Sequence, residues 1–409
     1  MSALRCFAVA SALAFAGSAD AGALKGPMPA GAESGVTRVA VFGKDQRVKV
    51  PHALGRLRQS VGLLFNNHAR TVCSAFCVSP RVIATAAHCL SEDGARLRGD
   101  LASFQFSLKA AGKQRSARLA GASDNTIRHH VILGSTPGAS HGKVDASEDW
   151  ALARLEAPLC GQRALPFERR DRASLLKLSK SKRVFQVSFH RDFADWQLAY
   201  SNPCPLSKRA GAISRKDLAG EFRSPDQLML HTCDTGVASS GSPLLMLIDG
   251  KPRFVAINVG TYVQTRLMMR DGKVVHRFRA DPIANTAVIA RAFVDVIERL
   301  EEDDILRAPR AMRRLQSRLK AIGAYVGPVD GMYGPQTRRA VKLGEAAIGW
   351  SETGLPTRAL LGALRNIDAI GVAAKTKRVR GLRPSATKRP ASREPFSLVR
   401  ERRPTSGVR

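Results

Sequence analysis

Between residues 61 and 155 the apolar positions fall in short runs separated by polar turns: Val61-Gly62-Leu63-Leu64-Phe65, Val82-Ile83-Ala84, Phe104 to Leu108 with Gln105 and Ser107 alternating, and Ala151 to Leu155. Runs of this length bounded by turn residues predict strands. A second set follows at Arg183 to Phe189, Gln227 to His231, Leu244 to Ile248 and Phe254 to Tyr262, and Asp249-Gly250 between the last two predicts a hairpin. An earlier strand is expected near Val39 to Phe42, with Gly43 to Arg47 as its turn. From Asn285 to Leu300 the period changes: Val288, Ala292, Phe293, Val296 and Ile297 recur at helical spacing. After Glu301-Glu302-Asp303-Asp304 the spacing stays helical at Met312, Leu315 and Leu319, and two short helical patterns follow the Gly327 to Gly331 turn and run to Leu364. The pattern predicts two β-rich halves, a closing helix and a small helical unit.

The ends differ in character. Arg5, the apolar run Phe7 to Ala16 and the small residues Ala19-Asp20-Ala21 predict a secretory signal over residues 1–21. That run is shorter than the roughly 20 residues of a spanning helix, so an exported protein, periplasmic or secreted, with no transmembrane segment is expected. Residues 22–38 read as a leader rich in Gly, Ala and Pro; Arg38 as an activating cleavage point and an uncut N-terminus are both open. Residues 39–304 form the β-rich domain, 305–365 the helical one, and 366–409, with prolines among arginines, a basic tail without regular structure. The six cysteines after the signal, 73, 77, 89, 160, 204 and 233, are an even number in an exported chain and predict disulfides. The net charge of +31 is densest toward the C-terminus, where residues 305–365 carry +8 and 366–409 carry +9, which favours a polyanionic partner. With 6% aromatic residues and no groove-reading motif, nucleic acid is the weaker candidate.

Three stretches carry candidate chemistry. Arg81 to Cys89 is an apolar strand ending in small residues, then His88 beside Cys89. An imidazole at the rim of a rigid sheet can turn one nitrogen to a carboxylate and the other to a nucleophile. Asp149 heads the apolar strand Ala151 to Leu155, and a carboxylate in such a place needs a partner; a strand-capping aspartate is the alternative, and Asp145 and Glu148 rank below it. Cys233 to Leu245 contains Ser239-Ser240-Gly241-Ser242-Pro243, a tight turn able to expose a hydroxyl and aim backbone N–H groups at one point. The other histidines, His129 and His130 among them, show no metal-ligand spacing and read as surface residues. Neither a metal nor a cofactor is implied.

Thr85-Ala86-Ala87-His88-Cys89, Asp149-Trp150-Ala151-Leu152 and Ser240-Gly241-Ser242-Pro243, in that order and 61 and 91 residues apart, together resemble the catalytic motifs of trypsin-like (chymotrypsin-fold) serine proteases, especially their bacterial glutamyl-endopeptidase-like branch. The resemblance covers about residues 39–300. It implies a mainly β fold of two six-stranded antiparallel β-barrels with a closing helix. It implies His88 as general base and acid, Asp149 as its orienting partner, Ser240 as nucleophile, and the N–H groups of Ala238 and Ser240 as the oxyanion hole. Ala238 stands where the family usually has glycine, a strain of about 1–2 kcal/mol if φ is positive there. Asn258, Val259 and Gly260 would wall the substrate pocket; Asp234, six residues before Ser240, is either a pocket residue or a turn residue. Where the glutamyl branch has a pocket histidine this chain has Asn258, so that specificity is not carried over. The resemblance also implies Cys73–Cys89 and a Cys204–Cys233 bridge below the serine turn. Cys77–Cys160 then follows by elimination, if the Val82–Ala84 and Ala151–Ala153 strands are antiparallel neighbours.

Leu315-Gln316, Gly327 to Tyr333, Gly334-Pro335-Gln336-Thr337 and Thr353-Gly354-Leu355-Pro356 resemble a peptidoglycan-binding-like domain of three helices over about residues 309–365. In that pattern Asp330 satisfies backbone N–H groups, Gly331 and Gly334 supply backbone freedom and Thr337 caps the next helix; Leu343-Gly344-Glu345 departs from the usual aromatic-glutamine pair. The expected function is an exported serine endopeptidase acting on protein or peptide, with peptidoglycan or another anionic envelope polymer as partner. The alternatives are a weak or inactive protease-fold protein that binds the wall, and a hydrolase of peptidoglycan cross-bridges.

Overall fold

The structure, a computed structural model, describes residues 40–366 apart from 67, 69–70, 93–96, 111–112, 124–125, 135–144, 182–183, 195, 207–221, 271–272, 278–280, 303 and 351, together with 399–401 and 404–405. The stretches expected to be a signal and a leader, and most of the basic tail, lie outside the described residues.

Two antiparallel sheets carry the larger part of the chain. A first strand, β1 (Arg47–Lys49), belongs to the second sheet. It starts later than the pattern near Val39 predicted: Ala40, Phe42 and Gln46 instead hydrogen-bond to Thr235 and Asp234 of the serine half. The first sheet contains β2 (Val61–Asn66), β3 (Thr71–Cys77), β4 (Val82–Thr85), β5 (Phe104–Ala110), β6 (Lys113–Arg118), β7 (Val131–Leu133) and β8 (Ala151–Arg154), in the order β6-β5-β2-β3-β4-β8-β7. A bridge between Leu119 and Leu155, with Ala120 N–H donating to Arg154 O at 2.8 Å, curls β6 round to β8 and closes it.

The second sheet adds β9 (Val184–Phe189), β10 (Leu198–Cys204), β11 (Leu228–His231), β12 (Pro243–Ile248), β13 (Lys251–Arg270), β14 (Lys273–Arg277) and β15 (Asp281–Ile289), ordered β1-β10-β9-β12-β13-β15-β11 with β14 on β13. Two further pieces, β16 (Val399–Glu401) and β17 (Pro404–Thr405), pair with β13, so the tail expected to lack regular structure contains two short strands. An exposed strand edge with unpaired N–H and C=O groups is a ready template for such pairing. Among the described residues the sheets therefore hold seven and ten strands where six and six were expected; the surplus comes from β7, β1, the long β13–β14 hairpin and the tail.

The helical spacing read from Asn285 holds only in its second half. Asn285 to Ile289 extend β15, pinned on both sides by β11 and β13, and the helix runs Val294–Glu301. Among the described residues the α-helices are, in chain order, α1 (Ala87–Leu90), α2 (Arg172–Leu178), α3 (Val294–Glu301), α4 (Pro309–Ala321), α5 (Pro335–Ala347) and α6 (Arg358–Ala363). An aromatic joint locks the halves together: Phe76 of β3 meets Phe254 of β13 at 5.0 Å, Phe254 stacks on Phe293 at 6.0 Å, and Trp150 meets Phe293 at 5.5 Å. Each such buried ring stabilises by roughly 1.5–3 kcal/mol. Glu301 at the end of α3 accepts from Ser79 Oγ and Arg81 N–H, closing that helix on the first sheet.

The last three helices share an apolar core of Met312, Leu315, Leu319, Val341, Leu360 and Leu364. Gln316, fully buried, is its polar hub: Oε1 accepts Gly331 N–H at 2.8 Å, and Nε2 donates to Asp330 Oδ1 at 2.8 Å. Asp330 Oδ1 also accepts Met332 N–H, as the turn pattern requires, and Gly331 adopts φ 82°. Thr337 does not cap α5; it lies inside the helix with Oγ1 on the Met332 carbonyl, and Gly334, at an ordinary φ of −116°, is the cap residue. Glu345, the departure from the usual pair, is buried and accepts from Thr353 Oγ1 and Gly354 N–H, so it anchors the loop before α6.

Candidate active site

The register of β4 on β8 places the first two chemical groups. Thr85 lies opposite Ala151, so His88, three residues beyond the end of β4, and Asp149, two before the start of β8, emerge at the same end of the pair. Both are buried. Asp149 Oδ1 accepts the His88 backbone N–H at 2.9 Å, and Oδ2 lies 2.7 Å from Nδ1, which fixes the ring so that Nδ1 carries the proton. Burial pulls His88 toward its neutral form, but the charge of Asp149 and its hydrogen bond together outweigh this and raise the pKa above the ordinary histidine value. Among the described residues His88 Nε2 is buried without a hydrogen-bond partner. Asp145 caps Ser147 and accepts Arg223 N–H. Glu148 lies 3.6 Å from Arg223; burial, then the charge of Asp145, raises its pKa.

The serine turn is pressed against this end. Gly241 (φ 83°) is lodged so tightly that a Cβ there would collide with the Ser74 carbonyl, Thr85 Oγ1 and Ala86 N. Only glycine fits, and the fit brings Ser240 to the rim where β4 ends. Ser74 N–H is shared between the Ala238 and Ser240 carbonyls at 2.8 and 2.9 Å, and Gly241 N–H donates to Asn258 O at 2.7 Å. Of the three serines, Ser239 and Ser242 are buried, and Ser242 Oγ is spent on Ser239 O and Gln186. Ser240 is half-exposed and its hydroxyl makes no hydrogen bond to His88 in this structure; such contacts in ligand-free sites are often long and tighten on binding. Among the described residues the N–H groups of Ala238 and Ser240 also have no acceptor. Ala238 sits at φ 77°, in the left-handed region, so the strain expected of an alanine there is present.

Two of the residues expected to form the substrate pocket are committed inside the protein. Asp234 accepts Phe42 N–H on Oδ1 and Gln46 N–H on Oδ2, both at 2.9 Å, so it tethers the N-terminal segment instead of lining a pocket. Asn258 donates to Ser239 O at 3.1 Å and its Oδ1 lies 3.1 Å from His231 Nε2; its amide is buried and fully used. Val259 is buried in the main apolar core, and Gly260 alone of the four is half-exposed.

The pattern missed the histidines behind the turn. His231 and His190 are fully buried, and His130 is buried as well, so the reading of these residues as surface groups is corrected. His231 Nδ1 accepts Cys233 N–H and Nε2–H faces Asn258, so the ring is neutral; burial pushes its pKa down to about 4. Burial and then Arg47 push His190 down to about 3. The signal was present in Leu228-Met229-Leu230-His231, an apolar run whose last residue pairs with Asn285. Cys73 pairs with Cys89, Cys77 with Cys160 and Cys204 with Cys233, at Cα separations of 6.3, 5.6 and 4.9 Å. Each bridge contributes about 2–4 kcal/mol, and the first fixes the residue next to His88.

Residues 73–257 match the trypsin-like peptidase domain family, and residues 310–364 match the peptidoglycan binding domain family. Among solved structures, the chain is similar to the structure of a Glu endopeptidase in complex with MPD at 15% identity and a TM-score of 0.41, over 64% of this chain and 100% of that one. No curated protein matches the sequence. The chain thus carries a trypsin-like peptidase domain. Behind it stands a peptidoglycan-binding domain of three helices.

Proposed function

We propose that this protein is an exported serine endopeptidase, periplasmic or secreted, that cleaves peptide bonds and is held at the cell envelope by its C-terminal domain. The observation that carries the reading is the double contact of Asp149 with His88, which orients the ring and leaves Nε2 free at the rim where Gly241 lodges the serine turn. Ser240 Oγ attacks the substrate carbonyl carbon while its proton passes to His88 Nε2. The tetrahedral oxyanion is received by the N–H groups of Ala238 and Ser240. His88 then gives the proton to the departing amine nitrogen, leaving an acyl ester on Ser240. Water, deprotonated by the same imidazole, releases the acid and restores the serine. The half-exposed Gly260 segment of β13 lines the approach for the substrate side chain. Among the described residues no helix is long and apolar enough to cross a membrane, and three disulfides suit an oxidising compartment.

A fluorophosphonate probe tests this. The expected result is one covalent adduct per chain, on Ser240, abolished by Ser240→Ala and by His88→Ala. No adduct on a folded wild-type chain would sink the endopeptidase. It would favour instead a wall-associated protein with an inactive protease fold, the reading that the strained Ala238 supports.

A further inference from the structure

Helix α4 is basic along its length: Arg318 and Lys320 in the last turn suit its dipole, but other charges stand where a helix alone would not keep them. Arg310 and Arg313 lie in or beside the first turn, at the positive end of the dipole, and that turn holds no acid. Arg314 and Arg318 are four residues apart on one face, a spacing at which like charges repel and weaken the helix. Arg365, from the turn after α6, comes to the same place. Arg313, Arg314, Arg318 and Arg365 line one open cleft of about 510 Å³, to which Val329 and Leu361 add apolar wall. Arg313 donates one N–H to the Asp330 carbonyl, and the nearby Asp330 carboxylate is taken by Gln316 and Met332 N–H. Among the described residues Arg314, Arg318 and Arg365 have no ion-pair partner. Arg313, Arg314 and Arg365 are exposed, and Arg318 is half-buried.

We infer that this arginine cleft is the ligand-binding site of the C-terminal domain, and that it takes the carboxylates of peptidoglycan peptide stems rather than the sugar chain. Guanidinium forks match carboxylates in bidentate fashion. A ligand that carries carboxylates beside short aliphatic side chains complements a cleft lined by arginines together with Val329 and Leu361. The lining offers no aromatic ring for a sugar face to stack on. The inference rests on reading residues 310–364 as a wall-binding domain and is independent of the peptidase chemistry.

The test is co-sedimentation of the full-length Ser240→Ala chain with purified sacculi at about 0.15 M salt, where weak non-specific attraction is screened. Three preparations are compared: the parent; Arg314→Gln with Arg318→Gln; and Lys113→Gln with Arg115→Gln, which removes the same charge from exposed β6. The cleft variant is expected to bind at least tenfold more weakly, the β6 variant within twofold of the parent. Sacculi whose carboxylates have been converted to amides are expected to lose the parent. Equal loss in the two charge variants, undiminished binding by the cleft variant, or full binding to amidated sacculi would overturn the inference while leaving a wall-binding domain in place. No binding by the parent would overturn both. Both arginines are solvent-accessible, and unchanged thermal unfolding of the cleft variant secures the comparison.

Discussion

The half of the peptidase domain that carries His88 and Asp149 and the half that carries Ser240 use the same kind of sheet but hold their chemical groups by different means. Around His88 the support is apolar and covalent: β4 and the first three residues of β8 are wholly buried, Cys73–Cys89 pins the adjacent residue, and one carboxylate does the orienting. Around Ser240 the support is polar and strained. Gln186, His190, His231, Asn258 and Asn285 are all buried there, and the turn runs through positive φ at Ala238 and Gly241. Apolar packing tolerates change of similar volume and is indifferent to pH, whereas a buried polar network is costly as soon as one member is lost. The serine half should therefore be where mutation and acid act on the fold, and the histidine half where a single change acts on the chemistry.

The largest effect expected is on chemistry. Asp149→Asn keeps the shape but lets the ring take the wrong tautomer, and kcat/KM on a peptide substrate should fall by about 10⁴, with far-UV circular dichroism unchanged. A loss below tenfold would mean that Asp149 is not what orients His88.

Next comes stability. Asn258→Leu leaves His231 Nε2–H without its partner, at about 1–3 kcal/mol, and takes from the Ser239 carbonyl one of its donors, Ser242 N–H and Oγ remaining. Leu152→Met, a volume-conserving change at a fully buried position of β8, should cost less than about 1.5 kcal/mol. Urea unfolding of the two variants side by side measures the contrast, and equal costs would erase the proposed difference between the halves.

Acid sharpens it further. His190 and His231 are held neutral with pKa values near 3 and 4, below the unfolded value of about 6.5. Between those limits the unfolded chain binds protons that the folded chain refuses. Their contribution is complete above about pH 6.5 and declines on acidification, by about 1.4 kcal/mol per pH unit for each ring. His88 has the opposite sign: its raised pKa gives a contribution that is full below the unfolded value and is lost as the pH rises through the folded one. His231→Gln should therefore flatten the fall in stability between pH 6 and pH 4 by about half. An unchanged slope would assign the acid sensitivity elsewhere.

The same contrast decides what the chain reveals before it folds. Short apolar runs exposed both sheets, and Thr85-Ala86-Ala87-His88-Cys89 with Asp149-Trp150 marked the histidine side, because close strand packing demands apolar and small residues that are visible one at a time. The serine side was half legible. Ser240-Gly241-Ser242-Pro243 shows a tight turn, but the partners of Asp234 and Asn258 are set by backbone N–H groups and a histidine 192 and 27 residues away, or nearer, only in space. Asn285 to Ile289 misled for a related reason: the buried end of β15, Ala287 to Ile289, is apolar on both faces, so its residues satisfy a helical period as readily as an extended one. The strands of the tail were hidden because their pairing belongs to the edge of β13 more than to their own composition.

The smallest effect falls on Ala238, where strain and chemistry meet. Its φ of 77° puts Cβ against the backbone, at about 1–2 kcal/mol for an L-residue. Replacement by glycine removes that strain but adds unfolded-state freedom worth about 0.4–1 kcal/mol, so Ala238→Gly should stabilise by at most about 1.6 kcal/mol. If the strain also misaligns the Ala238 N–H, the variant should label faster with a fluorophosphonate while the KM for a peptide substrate stays level, since the oxyanion forms only after binding. Faster labelling with unchanged stability would place the cost of alanine in the chemistry alone. A less stable variant would show that the Ala238 methyl, buried at 7% exposure, contributes packing that outweighs its backbone strain, and the serine half would then owe more to apolar contact than its polar network suggests.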